Sequence, residues 1–188
     1  MADQVQYTTV STSEEVLQIL DLQRKNLASL LSAETMASQG FLTVRHDPEV
    51  LQRMNEVAPA VIAKAGDRIA GYALVMPREF APEVPILLPM FEMLNGLSWK
   101  NKFLRDNPHW FVMGQICVAE GYRGMGIFDG LYLKMKEVYR SHYDFTVTEV
   151  AERNTRSMRA HERVGFHTMR IYPDETTGEV WRVIVLEF

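Results

Sequence analysis

The chain has 188 residues, 47% of them hydrophobic, which is enough to bury one substantial core and too little for two full domains. A net charge of −4, scattered without a basic stripe, argues against a nucleic-acid partner and is compatible with a cationic amine substrate. A single cysteine, Cys117, excludes an intramolecular disulfide and a cysteine-built zinc site; no secretory signal or membrane-length apolar run is seen, so a reducing cytoplasm is the expected location, with no membrane partner and no metal.

Residues 4–10 read as a first strand. Ser13, Glu14 and Glu15 then open a helix whose apolar positions Val16, Ile19, Leu20, Leu27, Leu30 and Leu31 keep helical spacing. Asp47 and Pro48 start a second helix that runs to about Val57. Residues 60–65 and 68–76 form a predicted hairpin with Gly66-Asp67 as its two-residue turn, and Pro77 ends it. Between Pro77 and Pro108 lie Pro82, Pro85 and Pro89, then Met90, Met93, Leu94 and Leu97 at helical spacing. This segment reads as an inserted helical flap; its Met90, Phe91, Met93 and Leu94 cluster is more often core than pocket, and as a flap its thioethers and Trp99, with the early helices, would shape a ligand pocket. There follow a strand over 110–118, a helix from Ile127 to about His142, a strand over 145–150 and a helix over 154–164. A closing hairpin, 166–172 and 179–188, turns at Thr176-Thr177-Gly178. The order predicts one domain over 1–188 with an insertion at 77–108, built on a mixed α/β sheet.

Two stretches carry chemistry. The first is 116–128, Ile-Cys-Val-Ala-Glu-Gly-Tyr-Arg-Gly-Met-Gly-Ile-Phe, where an apolar strand meets a glycine turn that opens a helix. The first N–H groups of a helix lack partners and carry its positive dipole end, so such a junction binds phosphate. Gly124 and Gly126 let the backbone approach closely, and Arg123 adds a charge. The turn lacks the Lys-Ser/Thr ending of a nucleoside-triphosphate loop and is an incomplete dinucleotide fingerprint. The second stretch, 149–166, puts Asn154, Ser157 and His161 on one helix face, followed by Gly165-Phe166.

Together these stretches resemble the acetyl-CoA site of the GNAT superfamily of N-acetyltransferases. Arg123, Gly126 and Phe128 fall on its Arg-x-x-Gly-x-Gly/Ala signature, Phe128 replacing the small residue, and His161 stands where the family usually has Tyr. The resemblance implies an acyl-CoA N-acyltransferase fold: a central, mostly antiparallel sheet with one parallel crossover, flanked by helices. It implies acetyl-CoA as cosubstrate and an amine acceptor. The amides of Arg123, Gly124, Met125, Gly126, Ile127 and Phe128 would hold the pyrophosphate, and the strand edge at Ile116, Cys117 and Val118 the pantetheine arm and an oxyanion. Asn154, Ser157 and Arg156 would also contact the cofactor, and His161 would be the general acid.

A protonated amine needs a base, and Glu149, on the strand before Asn154, is the first candidate; Glu120 is the second. Cys117 reads as a small core residue rather than a nucleophile. The same scaffold also fits a non-catalytic acyl-CoA-binding module, transfer to a hydroxyl, or a longer acyl group. The C-terminal strand ending at Phe188 offers an edge for a homodimer.

Overall fold

In a computed structural model, residues 4–175 and 177–188 are described, so Thr176 of the predicted last turn lies outside the described residues. The strands are β1 (Val5–Thr9), β2 (Val61–Ala65), β3 (Arg68–Met76), a two-residue pair β4 (Ser98–Trp99) and β5 (Lys102–Phe103), β6 (Trp110–Val118), β7 (Phe145–Ala151), β8 (His167–Pro173) and β9 (Val180–Glu187). The helices are α1 (Ser13–Lys25), α2 (Ala33–Gln39), α3 (Pro48–Val57), α4 (Leu88–Asn95), α5 (Ile127–Tyr139) and α6 (Thr155–Arg163). Seven strands form one sheet in the order β1-β2-β3-β6-β7-β9-β8. Every neighbouring pair is antiparallel except β6 and β7, the single parallel crossover.

Alternation along β3 shows why the sheet is buried on both faces. Ile69, Tyr72, Leu74 and Met76 join a core with Val16, Ile19, Leu51 and Met54 of α1 and α3. Ala70, Ala73 and Val75 join a second core with Ile127, Leu131 and Met135 of α5 and Met158 of α6.

Two expectations change. The first helix stops at Lys25, because Asn26 turns its side chain back to the Leu22 carbonyl and its own carbonyl accepts from Leu42 N. Residues 28–30 form a short 3₁₀ turn and α2 follows, which periodicity did not reveal, since α2 buries none of its residues. The chain's last strand is also not an edge: β9 pairs with β7 on one side and β8 on the other, so the expected dimer edge at the C-terminal strand is occupied.

The segment after Pro77 is only partly helical. It contains 3₁₀ turns at Arg78–Glu83, Pro85–Leu87 and Leu104–Asp106, helix α4 and the β4–β5 pair. Phe80, Val84, Phe91, Leu94 and Leu104 bury themselves in the first core, while Arg78 lies over the Trp110 ring.

One close approach sets the position of α5. A Cβ at Gly71 would lie 3.0 Å from the Cys117 carbonyl oxygen and 3.1 Å from Ile127 Cγ2, so glycine lets the first turn of α5 settle on the sheet. Gly71→Ala should destabilise the fold by about 1–3 kcal/mol in urea titrations and weaken binding at the α5 N-terminus. A variant with unchanged midpoint would show that the helix rests there without strain.

Candidate active site

The site begins where β6 leaves β7. Parallel pairing covers only Trp110, Phe111 and Val112 against Phe145, Thr146 and Val147. Immediately beyond, β6 carries an extra residue: Val75 pairs with Met113 and Ala73 with Ile116, so Gly114 and Gln115 stand against Leu74 alone. Such a bulge bends its strand. From Met113 to Val118 β6 pairs with β3 only, and from Thr148 to Ala151 β7 pairs with β9 only. Alternate N–H and C=O groups of β6 therefore face an open cleft.

Gln115 anchors the bulge. Its Oε1 accepts from Tyr72 OH at 2.6 Å and Gln23 Nε2 at 2.8 Å, and its Nε2 donates to the Val44 carbonyl at 2.9 Å. Gln23 Nε2 also meets His46 Nδ1 at 2.8 Å, and Gln23 Oε1 accepts from His46 N. The sequence hid this buried network, whose members are far apart in the chain.

At the end of β6, a 3₁₀ turn over Glu120–Tyr122 leads to Gly124 and Gly126, both at φ +76°, a conformation that glycine adopts without strain. Gly126 is the N-cap of α5, and no side chain caps that helix, whereas Thr12, Ser32, Asp47 and Asn154 cap α1, α2, α3 and α6. The first N–H groups of α5 are thus left for an anion.

A cavity of about 710 Å³ lies over this turn. Its lining includes Ile116, Cys117, Val118, Arg123, Gly124, Gly126, Ile127, Phe128, Asn154, Arg156 and Ser157, the expected cofactor residues other than Met125. Met125 is 56% exposed and outside the lining. The far wall is the strap from Ala37 to Leu42, which sequence reasoning missed. Polar clamps from both motifs hold it. Arg123 donates to Gln39 Oε1 at 3.0 Å, Asn26 Oδ1 at 2.7 Å and the Val118 carbonyl at 3.2 Å. Arg156 donates to the Ser38 carbonyl at 3.0 Å, Asn154 Nδ2 to the Phe41 carbonyl, and the Arg153 guanidinium lies 4.5 Å from the Phe41 ring centroid. Asn154 also caps α6 by accepting from Ser157 N.

A second, smaller cavity of about 90 Å³ occupies the splay between β6 and β7 and shares Phe41, Leu42, Ile116, Asn154 and Ser157 with the first. Glu149 and His161 line it, with Thr148, Trp181 and Met113. Burial pushes the Glu149 carboxyl up to about 7, against a hydrogen bond from Tyr172 OH at 2.7 Å that favours the charged form. Tyr172, from β8, was not singled out in the sequence.

Three expectations fail here. Glu120 is exposed and lines neither cavity, so it is no base for this cleft. No residue of 77–108 lines either cavity, so the insertion does not wall this cleft; residues 37–42 line the first cavity, and Phe41 and Leu42 the second as well. The surroundings of His161 argue against a general acid at neutral pH. The residue is 2% exposed, ringed edge-on by Phe128, Tyr132 and Phe166, and burial pulls its pKa down to about 4. Its Nδ1–H is held by the Ser157 carbonyl at 2.8 Å. The ring of Phe128 is thereby committed to His161 as well as lining the cradle.

The family model described as the acetyltransferase (GNAT) family matches residues 26–166. The chain belongs to this family. Solved structures similar to this GNAT chain include yncA, a putative acetyltransferase from Salmonella typhimurium with its cofactor acetyl-CoA (16% identity, TM-score 0.62, covering 97% of this chain and 93% of that one). Others are Ard1 from Thermoplasma volcanium (10%, 0.65, 97% and 97%) and a ribosomal-protein-alanine N-acetyltransferase from Brucella melitensis (14%, 0.64, 97% and 99%). No curated protein matches the sequence. Among the described residues, no helix is long and apolar enough to cross a membrane, and no three potential ligands cluster to hold a metal.

The buried histidines set an acid limit on stability. His46 and His161 both fall to about 4, below the ordinary 6.5, so the unfolded chain binds more protons between those values. Their contribution is complete above pH 6.5 and is lost toward pH 4, at up to about 3 kcal/mol each. Glu149, raised to about 7, acts in the opposite sense. Urea titrations should therefore show stability falling below pH 6.5, less steeply in His161→Asn and more steeply in Glu149→Gln.

Proposed function

We propose that the chain is an acetyl-CoA-dependent N-acetyltransferase that passes an acetyl group to a primary amine of a small molecule or an exposed protein amine. The reading rests chiefly on Glu149, a half-buried carboxyl with its pKa moved to about 7, at the wall of a small cavity that shares Phe41, Leu42, Ile116, Asn154 and Ser157 with the larger one over the glycine turn. Family membership and the acetyl-CoA bound to the Salmonella protein support the cosubstrate.

In this mechanism the pyrophosphate sits on the uncapped N-terminus of α5, and the pantetheine arm lies along the free edge of β6, adding a strand-like partner where β7 has turned away. The thioester carbonyl then points at a β6 N–H, an oxyanion donor of about 3 kcal/mol in the transition state. An ammonium enters the smaller cavity and gives one proton to Glu149. The freed nitrogen attacks the carbonyl carbon, the N–C bond forms and the C–S bond breaks. The second proton, shed by the tetrahedral adduct, goes to the departing sulfur. A thiol with an ordinary pKa of roughly 8.5 leaves readily without a dedicated acid, which fits a neutral His161.

Glu149→Gln should lower kcat/KM by about 10²–10⁴ while acetyl-CoA affinity holds. It should also raise stability more at pH 8 than at pH 5, because the wild-type carboxyl is charged and desolvated only at the higher pH. Wild-type kcat/KM should rise with pH to a plateau above about 7, and Tyr172→Phe should move that limb upward by removing the hydrogen bond to the carboxylate. Acetyl-CoA binding without turnover on a broad amine panel would instead identify a binding module.

A further inference from the structure

His161 keeps a buried atom without a partner. Its Nδ1–H is committed to the Ser157 carbonyl on its own helix at 2.8 Å, with Ser157 Oγ at 3.3 Å. This fixes the neutral tautomer and turns the opposite edge of the ring, which carries Nε2, away from α6. No hydrogen-bond partner reaches Nε2, although the side chain is 2% exposed and lines the same cavity as Glu149. Phe128, Tyr132 and Phe166 close around the ring at centroid distances of 5.1, 5.7 and 4.9 Å. An unpaired acceptor in so dry a setting costs stability unless a ligand supplies its donor.

We propose that His161 Nε2 accepts a hydrogen bond from the nitrogen of the acceptor amine and so restricts the enzyme to primary amines. The inference rests on the transferase reading and reverses the role expected of this position, from proton donor to proton-bond acceptor. The proton count makes it selective. A primary ammonium starts with three N–H bonds; one proton passes to Glu149 and one to sulfur, and the third stays on the product amide, paired with Nε2 throughout. A secondary ammonium starts with two and loses both, so Nε2 finishes unpaired against an alkyl group. The two amines diverge as the adduct gives its proton to sulfur: the secondary amine then leaves the buried Nε2 without a donor, which raises the barrier to collapse, and the primary amine does not.

The test compares primary alkylamines and amino-terminal peptides with their N-methyl counterparts as substrates for wild type, His161→Asn, His161→Gln and Tyr132→Phe. Asn can keep the contact to the Ser157 carbonyl but has no atom at the Nε2 position, whereas Gln can present an acceptor there. Wild type and His161→Gln should prefer primary amines by at least tenfold; His161→Asn should lose the preference, with acetyl-CoA affinity unchanged. Tyr132→Phe should retain the preference, since Tyr132 OH does not bond Nε2. A second readout needs no turnover: the Nε2 nitrogen resonance of wild type, with CoA bound, should move on adding ethylamine and stay fixed on adding tetramethylammonium, which has no N–H to donate. Turnover with a preference that survives in His161→Asn, or loss of it in Tyr132→Phe, overturns the inference and leaves the transferase standing. Acetyl-CoA binding with no amine acetylated overturns the transferase reading itself.

Discussion

The rest of the site depends on a strand pairing that ends early. After three residues of parallel register, the Gly114-Gln115 bulge turns β6 from β7, and both strands continue with partners on their outer sides only. A bulge leaves backbone groups unmatched and bends the strand, so it persists only if something holds it. Here Gln115 spends both ends of its amide on Tyr72, Gln23 and Val44. The open edge that results is hydrogen-bonding backbone inside a covered sheet, and such groups find a partner in a ligand when none is available in the chain.

The glycine turn and the α6 face would be separate features without the strap. Residues 37–42 join them through side chains that also face the cavity: Arg123 from the turn, Asn154 and Arg156 from α6. Because α2 buries none of its residues, these polar contacts rather than core packing fix its place. Gly40, at φ +76°, brings the backbone within 3.2 Å of Asn154 Oδ1, counted from where a Cβ would stand. Phe41 and Leu42 then wall both cavities, so the shape of the smaller one depends on how the larger one is clamped.

Much of this was legible in the sequence. The β2–β3 hairpin, α5, α6 and their strands follow strong period-two or helical patterns bounded by glycine or an Asn cap, and most of the residues expected to contact a cofactor line one cavity. The missed parts share a physical cause. Helix α2 has no apolar stripe to announce it, and the overshoot of α1 came from Leu27, Leu30 and Leu31, which sit in a turn after Asn26 has ended the helix. The surroundings of His161 were hidden because the rings that bury it come from α5 and from Phe166, while its own helix contributes the Ser157 carbonyl. Tyr172 lies 23 residues beyond the carboxyl it serves, joined to it only through the β7–β9–β8 order of strands.

The most direct test of the splayed strand as the cofactor's seat is amide hydrogen exchange along Met113 to Val118, measured with and without acetyl-CoA. The account predicts that the alternate β6 amides facing the cleft exchange readily in the free protein and become strongly protected on acetyl-CoA addition, together with the first amides of α5, while amides paired with β3 change little. Acetyl-CoA binding that protects neither the β6 edge nor the α5 N-terminus would contradict it.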